Sequence, residues 1–378
     1  VKVSNEGTVV LGEGVKGIEG MKVGIDGGGT VRLMKDVAFN NGAEAGIKIE
    51  GSKGNASVIG VGKTVIVKGS GIEVDGNGGT ASVVGLTIKG TGSTGVGVDV
   101  QNGREMTLNK VEVSGFTVGV NAKNGTVNIN GNSTIEVIAN GTGIMVSGSG
   151  ATADLTKVTI KGTGSGMYGV RGTGGTVTLN MVNVSGVQKG VEATGGKLNI
   201  NMGSINFTGV GSYGVKVGSG ATAELMGTKI MGTSGQGTGV IKEGTGEMTM
   251  NMVTIEGVGK GVEVKNGTVK INMGSITFES GVKNYGVHVQ NGASAIITGA
   301  TITGKGSGQG TGVHAMGTTT MNMVNISNVA MGVGLQKGNL TVNGGTMTGV
   351  QTGITMSGSG TLKISGGTTI TVKDGGTG

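Results

Sequence analysis

The chain has 378 residues, of which 87 are glycine, and it contains no proline, cysteine or tryptophan. Charged residues make up 13% and aromatic residues 2%, and 29 basic against 22 acidic side chains give a formal net charge of +7. The missing cysteine excludes disulfide-stapled folds, thiolate metal sites and a cysteine nucleophile. The missing proline excludes collagen, and the glycine content argues against long helices.

The positive charge is dispersed along the chain. No run of four or more Lys or Arg marks a nucleic-acid patch. No apolar stretch reaches the length of roughly 18 residues that a membrane span needs. We therefore expect no nucleic-acid partner and no membrane insertion of this chain. It starts at Val1-Lys2 without the features of a signal peptide, so we expect that any such peptide was removed.

A repeat organises most of the chain. Residues 1–45 form less regular N-terminal segments, and from Gly46 to Gly353 the phrase Gly-(Val/Ile)-x-x returns at intervals of about 24 residues, a length typical of solenoid repeats. A longer period is superimposed, in which three such steps form one super-repeat. It is carried by four evenly spaced phrases: Leu108-Asn109-Lys110-Val111, Leu179-Asn180-Met181-Val182, Met250-Asn251-Met252-Val253 and Met321-Asn322-Met323-Val324. In a solenoid each unit buries its apolar edge against its neighbours.

Each step contains three short runs with alternating polarity. In 175–195 the alternation predicts that Thr178, Asn183 and Glu192 face outward. It predicts inward positions for Val177, Leu179, Val182, Val184, Val191 and Ala193. No room is left for a crossover helix, so strands of successive coils must pair in parallel. We also expect the glycines to mark the corners.

The predicted fold is an all-β, right-handed parallel β-helix with three strands and about 24 residues per coil. It has 15–16 coils and forms a single solenoid over residues 1–378. Residues 1–45 are its less regular N-terminal coils, and residues 46–378 are regular coils with the 71-residue, three-coil super-repeat.

Asparagine recurs at one place in consecutive coils. Aligned coils place these residues in a column, where Asn tolerates a left-handed bend and passes side-chain hydrogen bonds along the stack. We interpret the column as a structural asparagine ladder of Asn109, Asn130, Asn180, Asn201, Asn251, Asn272, Asn322 and Asn343.

The two histidines, His288 and His314, follow Gly-Val in adjacent coils and should stack on the outer wall. Two imidazoles with Glu263 one coil earlier are a conceivable metal site. The rest of this column alternates exposed charges, such as Lys48 beside Glu73, which favours a solvated structural column. We therefore expect no metal site.

The distribution of the acidic residues bears on whether the chain is an enzyme. Parallel β-helices often act on polysaccharides, which requires clustered carboxylates. The six aspartates, Asp26, Asp36, Asp75, Asp99, Asp154 and Asp374, are scattered. We expect a protein that is not an enzyme, with no catalytic residues and no cofactor.

Surface methionines and lysines are the remaining candidates. Met181, Met252 and Met323 recur once in every super-repeat, and stacked methionines form an adaptable contact surface. Duplication of an ancestral unit explains the same recurrence without a function. Lys189 and Lys260 are also one super-repeat apart and form a weak basic stripe that would favour anionic glycans.

The Asn-Met-Val phrases, with Gly-Val-x-x between them, resemble the passenger domains of bacterial autotransporters, above all those of the Bartonella type. The resemblance covers about residues 100–378 well and the first 100 more loosely. It implies a secreted or surface-exposed β-helix that engages host cells, and some relatives resemble pro-angiogenic ligands of endothelial growth-factor receptors. No translocator barrel follows Gly378, which we expect of a processed or truncated passenger.

The sequence thus predicts a secreted or surface-exposed virulence factor, monomeric, that binds a host-cell receptor or glycan. Two alternatives stay open: a structural stalk or adhesin, and a polysaccharide-processing enzyme.

Overall fold

The structure, a computed structural model, describes residues 1–13, 18–19, 22–40, 45–51, 53–76, 78–92 and 94–378. The chain divides into two compact units, Val1–Gln188 and Lys189–Gly378, and each is described by itself. The irregularity predicted for residues 1–45 concerns in part residues 14–17, 20–21 and 41–44, which lie outside the described residues.

Strands pair in parallel throughout the described part of the chain, which contains no helix. The strands that begin in the first unit are β1 (Lys2–Ser4), β2 (Thr8–Leu11), β3 (Ile18–Glu19), β4 (Val23–Asp26), β5 (Gly29–Leu33), β6 (Val37–Asn40), β7 (Ile47–Glu50), β8 (Asn55–Val67), β9 (Ile72–Val74), β10 (Thr80–Gly90), β11 (Val96–Gln101), β12 (Glu105–Asn109), β13 (Glu112–Ser114), β14 (Val118–Lys123), β15 (Thr126–Asn130), β16 (Thr134–Val137), β17 (Thr142–Ser147), β18 (Thr152–Thr156), β19 (Thr159–Gly172) and β20 (Thr176–Phe207).

The strands that begin in the second unit are β21 (Tyr213–Met226), β22 (Lys229–Gly232), β23 (Thr238–Lys242), β24 (Glu247–Asn251), β25 (Thr254–Val258), β26 (Lys260–Val264), β27 (Thr268–Asn272), β28 (Ser275–Phe278), β29 (Tyr285–Val289), β30 (Ser294–Thr298), β31 (Thr301–Gly304), β32 (Thr311–Ala315), β33 (Thr318–Ser327), β34 (Met331–Leu335), β35 (Gly338–Met356), β36 (Gly360–Ser365) and β37 (Thr369–Thr377).

In both units the strands form three parallel stacks, which we call the first, second and third walls in the order in which a coil visits them. In the second unit the first wall includes β23, β26, β29, β32 and β34. The second wall there includes β24, β27, β30 and β36. The third wall includes β22, β25, β28 and β31.

The first unit has the same plan. Its first wall includes β4, β7, β9, β11, β14 and β17, its second β12, β15 and β18, and its third β13 and β16. About 15 turns follow one another along the chain, about 24 residues apart. The predicted right-handed parallel β-helix with three strands per coil is confirmed.

Branched aliphatic side chains fill the interior, as the alternation predicts. Val177, Leu179 and Val184 of β20 are buried, and so are all four phenylalanines, Phe39, Phe116, Phe207 and Phe278. β-branched side chains suit this interior because they pack on their counterparts in the neighbouring coil.

The glycine of the Gly-Val phrase does not mark a corner. Gly239 lies inside β23 with an ordinary φ, and a Cβ placed there would come 2.5 Å from Ile255 Cγ2 and 2.8 Å from the Gly261 carbonyl oxygen. The first wall approaches Ile255 and the backbone of the next coil so closely here that only glycine fits. Other glycines do bend the chain, for example Gly257 with φ of 65°.

Candidate functional site

The asparagine positions lie in register at the ends of second-wall strands. Asn109 is opposite Asn130 in the first unit, where Asn180 is opposite Thr156. In the second unit Asn251 is opposite Asn272, and Asn322 is opposite Asn343. Asn201, in the same unit, is opposite Met226.

Side-chain hydrogen bonds join some of these positions. Asn272 Nδ2 donates to Asn251 Oδ1 at 2.8 Å, and Asn322 Nδ2 donates to Thr298 Oγ1 at 3.4 Å. The buried Asn130 Oδ1 has no partner in the described part of the chain. Side-chain bonds thus connect Asn251 with Asn272 and Thr298 with Asn322, while Asn130 Oδ1 adds none.

The expectation that these asparagines take the left-handed bend is wrong, because the following residue takes it. Met181, Met202, Met252, Met273 and Met323 have φ between 53° and 60°. Asparagine completes the second-wall strand, where its backbone is still paired, so the turn to the third wall begins one residue later. The side chains of these methionines are exposed.

The methionines and lysines predicted as contact residues lie at two different corners of the coil. Met181, Met252 and Met323 stand between the second and third walls. Lys189 and Lys260 stand where the chain enters the first wall, over the rings of Tyr213 and Tyr285 at 5.9 and 5.5 Å. They do not form one surface.

The first wall of the second unit carries the predicted outward column. It runs through Glu192, Lys216, Ile241, Glu263, His288, His314, Gly334 and Thr355, which are register partners in turn. The alternation predicts a solvent-facing Glu192, but this residue is only 7% exposed. It is covered because the Tyr213 hydroxyl donates a hydrogen bond to its carboxylate.

His288 and His314 stack as predicted, with ring centroids 4.7 Å apart and planes 8° from parallel. The expectation of a fully solvated column is wrong at His288. Its ring is half-buried because the Tyr285 ring packs edge-on against it at 5.0 Å. Neither His288 Nε2 nor the Tyr285 hydroxyl has a partner in the described part of the chain.

Burial is also the main electrostatic influence at this position. Burial lowers the pKa of His288. The neighbouring His314 and Lys260 lower this pKa further, and the carboxylate of Glu263 opposes the shift. Burial likewise raises the pKa of Tyr285, and the carboxylate of Glu263 raises it further. Both groups are therefore held in their neutral forms.

The two rings supply only two of the ligands that a metal site needs. Glu263 accepts a hydrogen bond from Gln290 Nε2 at 2.9 Å. Among the described residues, no group of three or more His, Asp or Glu side chains is placed to hold a metal ion.

Two concavities lie beside this column, where the third wall passes to the first. The first, a cleft of about 850 Å³, is lined by Gln236, Lys260, Glu279 and Asn284 among others. It opens because the corner between β25 and β26 is the single residue Gly259, while residues 233–237 and 279–284 form longer corners on either side.

The second concavity is a groove of about 390 Å³ on the outer face of the first wall, with Gly334 in its lining. We call it the Gly334 groove. Its lining includes both histidines, Tyr285 and Met331. Val282, 83% exposed, stands at its edge, and Val210, 86% exposed, stands beside the cleft.

Two fully buried cations escape the sequence analysis. Arg104 donates to the carbonyl oxygens of Gly51 at 2.7 Å and Gly27 at 3.0 Å, and Lys242 donates to that of Gly244 at 2.7 Å. Burial lowers the pKa of both. Lys242 occupies an inward position of β23, so strict application of the alternation would have found it; Arg104 lies at a corner, where no alternation applies.

Comparisons with protein-family models, curated proteins and solved structures found no match for this chain. In the described ranges, no helix is long and apolar enough to cross a membrane.

Proposed function

We propose that this chain is the passenger of an exported bacterial surface protein, which binds a receptor or glycan on host cells without catalysing a reaction. Its contact face is the corner of the second unit where the third wall passes to the first. Endothelial cells are the first target to test, because the repeat phrases resemble passengers with pro-angiogenic relatives.

The observation that carries the proposal is the pair of exposed valines at this corner. Val210 and Val282 are 86% and 83% exposed and contribute little to the core. They stand three coils apart on longer corners, Val210 beside the cleft and Val282 beside the Gly334 groove. An exposed apolar side chain beside each concavity favours contact with another molecule along this corner.

The charged side chains at the same corner are few and of both signs, which favours a polar partner over a strongly acidic one. Lys260 and Glu279 both line the cleft, and Lys283 lines the groove. Charges at the rim of an interface mainly change the rate of association, and this contribution weakens with salt.

The test is saturable binding of the purified chain to endothelial cells. We expect the double variant Val210→Asp/Val282→Asp to bind at least tenfold more weakly than the wild type, because it places two charges on the contact face. Val61→Asp is the matched control, since Val61 is also an exposed valine but lies in the first unit, at 70% exposure. It should bind as the wild type does.

Absence of saturable binding by the wild type would contradict the proposal and favour the structural stalk. Equal losses for the double variant and Val61→Asp would also contradict it, because binding would then not depend on this corner.

A further inference from the structure

The strongest unassigned feature is the corner of the second unit where the second wall passes to the third. Backbone hydrogen bonds hold successive turns of this corner in register: the Met252 N–H donates to the Asn272 carbonyl oxygen at 2.9 Å, and the Met273 N–H donates to that of Thr298 at 2.7 Å. Several of the residues that turn the corner are methionines with exposed side chains. We call them the methionine corner: Met202, Met252, Met273 and Met323.

Neither the backbone nor the core explains methionine at this corner. Met252 and Met273 have φ of 53° and 60°, in the left-handed region that a Cβ disfavours. Gly227 and Gly299 turn the same corner in other coils with φ of 59° and 63°, so the fold accepts the residue that suits this conformation best. The side chains of Met252 and Met273 are 52% and 54% exposed and contribute little to the core. Such a disfavoured conformation at an exposed position motivates a functional explanation.

The spacing of the coils brings thioether groups close together. Met252 and Met273 turn the corner in adjacent coils, about 4.8 Å apart along the stack. One ion bound to two sulfur atoms at roughly 2.3 Å each holds them at most about 4.6 Å apart, and the rotatable bonds of methionine allow this approach. Further thioethers stand on either side. Met226, 40% exposed, precedes the corner one coil before Met252, and the Met273 Cγ lies 3.6 Å from where Gly299 would carry a Cβ, in the coil between Met273 and Met323.

The neighbouring side chains favour a soft metal ion over a hard one. Asn251 and Asn272, which precede the two methionines, are hydrogen-bonded to each other, and Thr254 and Ser275 begin the third-wall strands that follow. None of these four side chains ionises, whereas Mg²⁺ and Ca²⁺ are normally bound through carboxylates and other oxygen ligands. Thioether sulfur selects Cu(I). The chain contains no cysteine, so methionine supplies its soft ligands.

We propose that the methionine corner binds Cu(I) through the thioether sulfurs of Met252 and Met273, with Met226 or Met323 as a third ligand. This inference goes beyond the proposed function and does not depend on it, because the contact face proposed above is another corner, where the third wall passes to the first.

The experiment titrates the full chain with Cu(I) under anaerobic conditions, in competition with the chromophoric chelator bicinchoninate. We expect the double variant Met252→Leu/Met273→Leu to bind Cu(I) at least tenfold more weakly than the wild type, because leucine keeps an apolar side chain but has no sulfur. Met34→Leu/Met356→Leu is the matched control. Met34 and Met356 are also exposed, at 54% and 43%, but Met34 lies in the first unit and Met356 at the end of the first wall. The control should bind as the wild type does.

A second measurement uses the wild type and therefore does not depend on the folding of the double variant. Silver(I) is a soft ion of the same charge that undergoes no redox reaction under these conditions. We expect it to shift the methyl NMR signals of Met252 and Met273, assigned by single leucine substitutions, and to leave that of the fully buried Met106 unchanged. Far-ultraviolet circular dichroism and thermal unfolding establish that each variant is folded.

Three results would overturn the inference. The first is equal Cu(I) affinity in the wild type and the folded double variant. The second is a set of methionine methyl signals that silver(I) leaves unchanged. The third is a loss of Cu(I) affinity in His288→Leu/His314→Leu but not in Met252→Leu/Met273→Leu, which would place the ion at the stacked histidines.

Discussion

Two regions of the second unit have nearly the same sequence but different polar pairing. The first tyrosine pair of coils contains Lys189, Glu192, Tyr213 and Lys216. The second tyrosine pair of coils contains their counterparts one super-repeat later, Lys260, Glu263, Tyr285 and His288. In both, a lysine lies over the tyrosine ring and the glutamate is one coil before the tyrosine.

The two glutamates accept hydrogen bonds from different donors. In the first pair the Tyr213 hydroxyl donates to Glu192. In the second pair Gln290 donates to Glu263, and the Tyr285 hydroxyl has no partner in the described part of the chain. The counterpart of Gln290 is Gly218, which has no side chain to donate. We therefore expect the side chain at this position to determine which donor the glutamate accepts from.

The largest difference should appear when each hydroxyl is removed. Tyr213→Phe deletes the hydrogen bond that the mostly buried Glu192 accepts, so we expect a loss of about 1–3 kcal/mol in the free energy of unfolding. Tyr285→Phe removes no hydrogen bond and should be neutral or slightly stabilising. Urea unfolding monitored by circular dichroism measures both, and equal losses would show that the two hydroxyls are equivalent.

The second prediction concerns a substitution that should give the second tyrosine pair the hydrogen bond of the first. Gln290→Ala removes the competing donor and frees Glu263 to accept from Tyr285. Tyr285→Phe should then lower the free energy of unfolding by about 1 kcal/mol more in the Gln290→Ala background than in the wild type. Unfolding of the four proteins in this double-mutant cycle gives the coupling. A coupling of zero would mean that Gln290 does not determine the state of Tyr285.

The third prediction concerns pH. The lowered pKa of His288 means that the unfolded chain takes up its proton first. Stability from this group is present above the unfolded pKa of about 6.5 and is lost as the pH falls below it towards the folded value. The urea midpoint should therefore fall between pH 7 and pH 5, and less so in His288→Phe.

Ile241→Thr is the control for the pH experiment, because it alters another position of the same first-wall column and removes no ionisable side chain. Its pH dependence should match that of the wild type. The groups that face His288 are His314, Glu263, Lys260 and Tyr285. An identical fall in His288→Phe would show that His288 does not cause the effect.

The fold was predictable because it depends on patterns that every coil repeats. Alternation placed Val177 and Leu179 inside, and the spacing of the Gly-Val phrases set the coil length. The site was not predictable in this way, because it depends on departures from the repeat. The covering of Glu192 by Tyr213 depends on a neighbour in another coil, and the Gly334 groove combines one glycine with corners of unequal length. A periodic pattern carries no information on either.

The smallest expected effect concerns the lysines over the two tyrosine rings. Tyr213 has two ammonium groups near its ring, those of Lys189 at 5.9 Å and Lys216 at 5.8 Å, whereas Tyr285 has that of Lys260 at 5.5 Å. Lys260→Met should therefore lower the free energy of unfolding by about 0.5 kcal/mol, the usual size of an exposed cation–π contact. Lys189→Met should lower the free energy of unfolding less, because the ammonium group of Lys216 stays close to the Tyr213 ring. Equal losses in urea unfolding would mean that each lysine acts through the packing of its methylene groups, since that contribution does not depend on a second ammonium group.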